Sequence, residues 1–131
     1  MVVFCFFFFF FFLGSFPAYT MAKYGMSMCV LGMAEELKPH GIAVNALWPR
    51  TAISTAAMKM LGGESALKQC RKASIMSDAA YAIITRDSRS NTGKFLIDEF
   101  VLKECGVSDF SEYAEVLGEP CKSGCPEHCY G

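Results

Sequence analysis

Two adjoining stretches decide the fold of this chain: AYTMAKYGMSMCVLGMAEELK at residues 18–38 and PHGIAVNALWP at residues 39–49. The first is rich in Met, Ala, Leu and Glu, which favour helices, and it predicts a helix over 17–38. The turn Lys38-Pro39-His40-Gly41 ends that helix. The apolar run 42–47 contains β-branched residues and predicts a short parallel strand that is buried on both faces. A helix followed by such a strand indicates an α/β fold.

The remaining elements follow from similar patterns. Ser15 and Pro17 are suited to the N-cap and first turn of helix 17–38. This helix has one apolar stripe, made of Ala22, Met26, Cys29, Met33 and Leu37. Short helices are predicted over 51–61, 65–72, 78–85, 99–105 and 109–117, the third capped by Ser77, and Gly62-Gly63 separates the first two. Residues 93–98 predict the last strand, so the chain is mostly helical with two or three parallel strands.

Tyr19 and Lys23 are the strongest candidates for chemistry. They lie four positions apart, so a helix places both side chains on one face. A lysine ammonium beside a tyrosine favours the phenolate and lowers the pKa of the phenol from about 10 towards the range of a general acid/base. The pattern Tyr-x-x-x-Lys by itself is common, and a surface pair on a helix is the plain alternative. The long helix, turn and apolar strand that follow make it specific.

This order of motifs over about residues 18–117 resembles the short-chain dehydrogenases/reductases. The resemblance implies a truncated Rossmann-like, doubly wound α/β fragment and an NADP- or NAD-dependent oxidoreductase acting on a carbonyl or alcohol of a lipid-like substrate. In such enzymes the residue matching Tyr19 donates a proton to the substrate carbonyl oxygen. The residue matching Lys23 binds the nicotinamide ribose.

The segment from Asn45 to Thr55 resembles the family's loop after this strand. In the family that loop contacts the cofactor, so the resemblance implies that Asn45, Pro49, Thr51 and Thr55 are the candidate cofactor-binding residues. Arg50 stands where the family usually has glycine, which suits a phosphate but crowds a close backbone approach. A helix N-cap at Thr51 is an equally good interpretation of that position.

The front of the family's fold has no counterpart in these residues. The glycines form no Gly-rich turn of the kind that holds a pyrophosphate between a strand and a helix N-terminus. Only 18 residues precede Tyr19, and the family's catalytic serine would fall within the phenylalanine run. We therefore expect the chain to bind no cofactor and to be inactive alone. The alternatives are a non-catalytic fragment that forms a homo- or hetero-oligomer through helix 17–38, or a small membrane-associated protein.

Residues 1–16 form a separate apolar segment, with Phe4 and the unbroken run Phe6 to Phe12. It is short for a membrane span, which needs about 20 residues, and it has no positive charge typical of a signal peptide. Three interpretations stay open: a segment translated from a thymine-rich, non-coding stretch, a membrane or signal segment, and a buried strand beside residues 42–47.

The cysteines indicate no disulfide framework, because their number is odd and four are widely scattered. The tail 118–131 contains Cys121, Cys125, His128 and Cys129, which raises the possibility of a zinc site. His128 and Cys129 are adjacent, which disfavours joint ligation, so a disordered tail with free thiols and no metal is the preferred interpretation. Residues 17–117 then form the single folded domain.

Charge and composition limit the partners. A net charge of −1 gives no reason to expect nucleic acid. The hydrophobic content of 53% is that of a folded chain. The chain lacks a terminal Ser-Lys-Leu address, so a peroxisomal or mitochondrial location is implied by the resemblance alone.

Overall fold

The computed structural model describes residues 2–4 and 17–118. Its strands are β1 (Val2–Phe4), β2 (Asn45–Trp48) and β3 (Phe95–Ile97). Its helices are α1 (Pro17–Leu37), α2 (Ala56–Leu67), α3 (Ser74–Ile84) and α4 (Asp98–Glu104). Two 3₁₀ turns cover Lys38–His40 and Ser111–Tyr113.

The sheet has the order β1-β2-β3, and both pairings are parallel. Val2 pairs with Asn45, and Ala46 pairs with Phe95. The mostly helical α/β fold with parallel strands is therefore confirmed. Residues 2–4 pair beside β2, which is where the strand interpretation puts the N-terminal segment. The rest of that segment, residues 5–16, and the cysteine-rich residues of the tail lie outside the described residues.

The sheet is covered on both faces because side chains of β2 alternate between two cores. Leu47 belongs to the larger core, and Ala46 belongs to the smaller one. The larger core is built mainly by α3 and α4; its buried members are Leu47, Ile53, Ile75, Met76, Ala79, Ile83, Val101, Leu102 and Tyr113. The smaller core joins α1 to β2 through Val30, Ala34, Val44 and Ala46.

Helix α1 has almost the predicted bounds, but its apolar stripe is only partly turned to the core: Met33 and Leu37 pack against the smaller core. The buried residues are Ser27, Val30 and Ala34, while Ala22 and Cys29 are exposed. The apolar residues of α1 surround most of the helix, so the spacing does not single out one face. The buried face of α1 is the one that contacts Val44, just before β2, and Ala46 within it.

Other boundaries shift in sequence. β2 begins at Asn45 rather than 42, since Val44 donates its N–H to the Thr92 side chain at 3.0 Å instead of to a strand. The predicted break at Gly62-Gly63 is present, because α2 (Ala56–Leu67) has a non-helical backbone at Gly63, where φ is +67°. Glycine adopts that backbone conformation without the steric cost of a Cβ. The outer bounds differ, since the first helical part begins at Ala56 rather than 51 and the second ends at Leu67 rather than 72.

Two further helix predictions are corrected. α3 begins at Ser74 with Ala73 at its N-cap, not at residue 78 with Ser77. Of the predicted helix 109–117, only the 3₁₀ turn Ser111–Tyr113 forms. Asp109 accepts from the Ser111 N–H at 2.8 Å, and this local turn competes with a helix.

Candidate active site

Tyr19 and Lys23 contact each other on the first turns of α1. The Lys23 Nζ atom lies 5.4 Å from the centroid of the Tyr19 ring. Tyr19 is 41% exposed, so the described residues leave part of its side chain open to solvent. The pair thus has the stacked arrangement that their spacing predicts, and its phenol is within reach of a small molecule.

The direction of α1 places this pair beyond the carboxyl end of the sheet. The helix packs on β2 through Val30 and Ala34, and its C-terminal end leads into the amino end of β2. The helix therefore runs opposite to the strand. Tyr19 precedes the end of α1 by 18 residues, which corresponds to about 27 Å along the axis. Ligands of open α/β sheets bind at this edge.

The loop that follows β2 lies at the same edge and is largely buried. Pro49 and Thr51 are buried, and Thr55 is half-buried. The Thr55 side chain accepts from the Met58 N–H at 3.3 Å and caps α2. Thr51 is not the N-cap, because the chain stays extended past it and buries Ala52 and Ile53. The cofactor roles of these residues stay predictions.

Asn45 is at the opposite end of β2 from Pro49. It is 2% exposed, and its side chain joins the strand to the neighbouring loop. Its Nδ2 donates to the Asn91 carbonyl at 2.8 Å, and its Oδ1 accepts from the Lys94 N–H at 3.0 Å. The structure therefore does not bring Asn45 to the edge where Tyr19, Pro49 and Thr51 lie, and it gives the amide a role in the sheet.

Sequence reasoning missed two acidic residues, Asp98 and Glu99, that follow β3 at the same edge. Asp98 is fully buried, and its Oδ1 accepts from the Arg50 N–H at 2.9 Å and the Glu99 N–H at 2.7 Å. Burial raises the pKa of the Asp98 carboxyl above 3.8, against the effect of these hydrogen bonds. Their place at the carboxyl end of the strand predicted over 93–98 is the sequence feature that points to them.

Glu99 is surrounded by three cations. Arg50 and Lys103 each approach its Oε1 at 2.8 Å, and Arg71 lies 3.0 Å from its Oε2. Burial acts to raise the pKa of Glu99. The hydrogen bond from Lys103 and the charges of Arg71 and Arg50 outweigh burial and hold the pKa below 4.5. Glu99 is therefore ionised and ties three separate segments together.

These contacts hold the loop after β2 from two sides. On one side, Arg50 is bound through its backbone to Asp98 and through its guanidinium to Glu99. On the other, the Arg71 backbone donates to the Ala52 carbonyl at 2.8 Å and accepts from the Ser54 N–H at 2.8 Å. The backbone around Thr51 is therefore fixed before any ligand arrives, which lowers the entropic cost of binding.

The residues at this edge fit one end of a dinucleotide. The ribose contact of Lys23 stays a prediction. Thr51 has a buried hydroxyl that finds no hydrogen-bond partner within the described residues. A buried hydroxyl in that state favours a ligand acceptor. Among the described residues, no glycine with positive φ directly follows the carboxyl end of a strand. The described residues thus fit the nicotinamide end and offer no cradle for the pyrophosphate.

Residues 2–4 and 17–118 contain neither a cluster of metal ligands nor a membrane-spanning helix. Within these ranges, His, Cys, Asp and Glu form no group of three or more that could hold a metal ion. No helix within them is both long and apolar enough to cross a membrane. The zinc interpretation of the tail falls outside these ranges.

The sequence is similar to several curated proteins named hydroxysteroid dehydrogenase-like protein 2. The zebrafish (Danio rerio) and bovine (Bos taurus) proteins are each 64% identical to the chain over 103 residues, and the human (Homo sapiens) protein is 61% identical over the same length. The match covers 79% of this chain but 24% of each of these relatives. The chain thus spans about a quarter of the length of the relatives it matches.

Solved structures give the same result. A Xanthomonas campestris protein, provisionally assigned as a dehydrogenase, matches with a TM-score of 0.76 at 47% identity over 82% of this chain and 39% of its own. A short-chain dehydrogenase from Mycobacterium thermoresistibile matches with a TM-score of 0.70 at 45% identity, over 86% of this chain and 42% of its own. No family model matches the chain. By its relatives and its fold, the chain is similar to part of the short-chain dehydrogenases/reductases.

Proposed function

We propose that this chain carries the proton-transfer residues of an NADP- or NAD-dependent oxidoreductase. The observation that supports this most directly is the contact between Tyr19 and Lys23 at the carboxyl edge of the sheet, 5.4 Å from ammonium to ring centroid. The substrate class we propose is a carbonyl or secondary alcohol of a lipid-like molecule. Tyr19 and Lys23 are the catalytic pair, and Pro49, Thr51 and Thr55 form the loop beside the cofactor.

Each residue has a defined role in the proposed reaction. The Tyr19 hydroxyl donates its proton to the substrate carbonyl oxygen during reduction and takes it back during oxidation. The Lys23 ammonium stabilises the phenolate that remains and holds the ribose of the cofactor. The nicotinamide, when bound, supplies or accepts the hydride. Asp98 and Glu99 act indirectly, by holding Arg50 and therefore Thr51 in place.

Taken by themselves, these 131 residues are proposed to be inactive. Cofactor affinity needs the pyrophosphate site, and hydride transfer needs a bound cofactor. Titration of the purified chain with NADPH and NADH, followed by nucleotide fluorescence or calorimetry, is expected to show no saturable binding. A dissociation constant in the micromolar range for either cofactor would contradict this proposal.

A chimera tests the catalytic roles. Residues 18–117 replace the corresponding segment of zebrafish hydroxysteroid dehydrogenase-like protein 2, so that the front of the domain is supplied. The chimera is assayed for NADPH- and NADH-dependent reduction of a panel of long-chain and cyclic ketones. Tyr19→Phe is expected to lower kcat by about a hundredfold or more, because general acid catalysis typically contributes that much.

The matched control is Tyr24→Phe, which removes a hydroxyl from the same exposed helix. It is expected to retain activity, and both variants are expected to bind cofactor as the unaltered chimera does. Lys23→Met is expected to raise the Kd for the cofactor as well as to lower kcat. An unchanged kcat in Tyr19→Phe would remove Tyr19 from the mechanism.

A second proposal is association through helix 17–38, which a specific observation favours. Four large side chains recur at three- and four-residue steps along α1 and are exposed: Met21 at 74%, Tyr24 at 38%, Met28 at 58% and Leu31 at 46%. Their spacing is that of a helix–helix contact. The proposed partner is a second copy of the chain or a longer relative that presents the equivalent helix.

Location in peroxisomes or mitochondria is a proposal that rests on the resemblance. Fractionation of cells that express the untagged chain, with detection by antibody, tests it. Recovery in either organelle fraction would support the proposal, and recovery in neither would contradict it.

A further inference from the structure

A cleft at the amino edge of the sheet lies away from the candidate active site. It encloses about 470 Å³ and is formed by two segments, the turn 38–42 after α1 and the loop 88–92 before β3. The Ser88 hydroxyl joins these segments by donating to the Gly41 carbonyl at 2.7 Å. Since Tyr19 and Thr51 lie at the carboxyl edge, this cleft takes no part in the proposed reaction.

The lining of this cleft is basic. It includes Lys38, His40 and Arg89, and none of the described residues that line it is acidic. Two carboxylates interact with these cations: Asp87 lies close enough to Arg89 for their charges to attract, and Glu35 pairs with Lys38. The Asp87 carboxylate accepts from the Ser90 hydroxyl at 2.8 Å and the Ser90 N–H at 3.1 Å. Glu35 lies 3.8 Å from Lys38 Nζ in a pair whose side chains are 61% and 79% exposed, so Lys38 can turn towards a ligand.

Neutral donors complete the arrangement. The Thr92 Oγ1 accepts from the Val44 N–H at 3.0 Å and keeps its own proton to donate. Arg86, which lies in the neighbouring lining, is paired with Glu104 at 2.8 Å and so contributes little free positive charge. A cleft with two permanent cations, a histidine and a hydroxyl donor has the chemistry that binds a phosphate.

A second cavity of about 250 Å³ continues the first one. The two share Gly41, Ile42 and Ser88. The second adds an apolar side with Ile83 and Ile84 and a polar side with Asn45, Arg86 and Asn91. Ile42 is 43% exposed and Ile84 is 63% exposed, so they form an apolar shelf next to the basic cleft. A ligand that fills both cavities has an anionic head and a short apolar part.

We propose that this cleft binds a soluble organic phosphate, with the phosphate between Lys38 and Arg89 and the organic part on Ile42 and Ile84. The probes are butyl phosphate and inorganic phosphate, titrated into the full chain and followed by calorimetry and by phosphorus NMR. Butyl phosphate is expected to saturate the chain and to bind more tightly than inorganic phosphate.

Charge variants test the basic half. Arg89→Gln and Lys38→Gln are each expected to weaken both probes by about fivefold or more, because each removes one charged contact. Lys68→Gln removes the same charge from an exposed position outside the cleft and is expected to leave both affinities unchanged. Equal weakening in Lys68→Gln, unchanged affinity in Arg89→Gln, or no saturation by butyl phosphate would each overturn the proposal.

A shelf variant and a membrane control complete the test. Ile84→Ser is expected to lower the affinity for butyl phosphate and to leave the affinity for inorganic phosphate unchanged. If both affinities fell, or neither did, the proposed contact of the organic group with Ile42 and Ile84 would be overturned. Vesicles of phosphatidylcholine with phosphatidic acid distinguish a lipid headgroup from a soluble ligand. Capture by these vesicles without binding of butyl phosphate would also overturn the proposal.

Discussion

The two faces of the sheet are covered very differently. On one face, α3 and α4 contribute six of the nine buried residues of the larger core, and the charged groups at its edge are bound to one another. On the other face, α1 is the longest helix described, with 21 residues, yet it buries only Ser27, Val30 and Ala34. The helix that carries Tyr19 and Lys23 is therefore the less firmly packed part.

This difference separates what the described residues can do alone from what needs a partner. The α3–α4 face has enough apolar burial and ion pairing to hold the loop after β2 in one conformation. Helix α1 packs on the sheet through Val30 and Ala34, with Met33 and Leu37 partly buried beside them, and leaves other large apolar side chains exposed. The candidate active site joins both parts, so its geometry depends on the weaker of the two.

The largest expected effect is in the larger core. Ile75→Ala removes a fully buried side chain and is expected to lower the free energy of unfolding by about 3–4 kcal/mol. Val30→Ala, in the smaller core beneath α1, is expected to cost about 1–2 kcal/mol, because fewer atoms are lost. Urea unfolding followed by circular dichroism at a fixed chain concentration measures both. Equal losses would show that α1 is packed as firmly as α3.

Glu99→Gln is expected to cost about 2–3 kcal/mol, since it leaves three cations around a neutral group whose side chain is 9% exposed. Exposure of Arg50 and Lys103 keeps the loss below that of a fully buried pair. Glu115→Gln, at an exposed position, is the matched control and is expected to stay within about 0.5 kcal/mol. If Glu99→Gln were as stable as the control, the ion pairs of Glu99 with the three cations would make no net contribution to the free energy of unfolding.

The same variant has a signature in pH. The pKa of Glu99 is lower in the folded chain than its ordinary value of 4.5, so its contribution is present above 4.5 and is lost as the pH falls through the lowered value. The pH dependence that Asp98 contributes has the opposite sign. Because its pKa is raised from 3.8, its effect lowers the free energy of unfolding as the pH rises from 3.8 through the raised value. In Glu99→Gln, the free energy of unfolding is therefore expected to fall less steeply as the pH is lowered below 4.5 than it does in the unaltered chain.

The sequence predicted the parts of the fold that depend on local pattern. The bounds of α1 and α4, the break at Gly63 and a buried parallel strand after the turn at Gly41 follow from propensity and turn chemistry. The buried face of α1 does not, because apolar residues nearly encircle it and only tertiary contact selects Val30 and Ala34. Sequence spacing also gives no sign that Arg50, Arg71 and Lys103 converge on Glu99, since the contact joins segments far apart in the chain.

Tyr113 offers a smaller effect on the firmly packed face. Burial, together with a hydrogen bond from its hydroxyl to Asp78 at 2.9 Å, raises the pKa of Tyr113 from 10.0 to about 12. The stability this provides is complete below 10.0 and is lost as the pH rises towards 12. Tyr113→Phe is expected to cost about 1 kcal/mol near neutral pH. In an alkaline titration of phenolate absorbance, the late-titrating tyrosine should disappear in this variant and persist in Tyr81→Phe.

The smallest expected effect on unfolding is on α1, where the largest effect on assembly is expected. Met28 and Leu31 are exposed, so Met28→Glu with Leu31→Glu should change the free energy of unfolding of a single chain by no more than about 0.5 kcal/mol. If α1 is a contact surface, the charges would be buried in the assembly and would disfavour it. Size-exclusion chromatography with light scattering should show the unaltered chain above its mass of 14.4 kDa and the double variant shifted towards that mass.

Met60→Glu, at an 83% exposed position on α2, is the control and should leave the assembly intact. A monodisperse monomer before any substitution would show that the apolar stripe of α1 faces water, and that the chain does not associate through this helix.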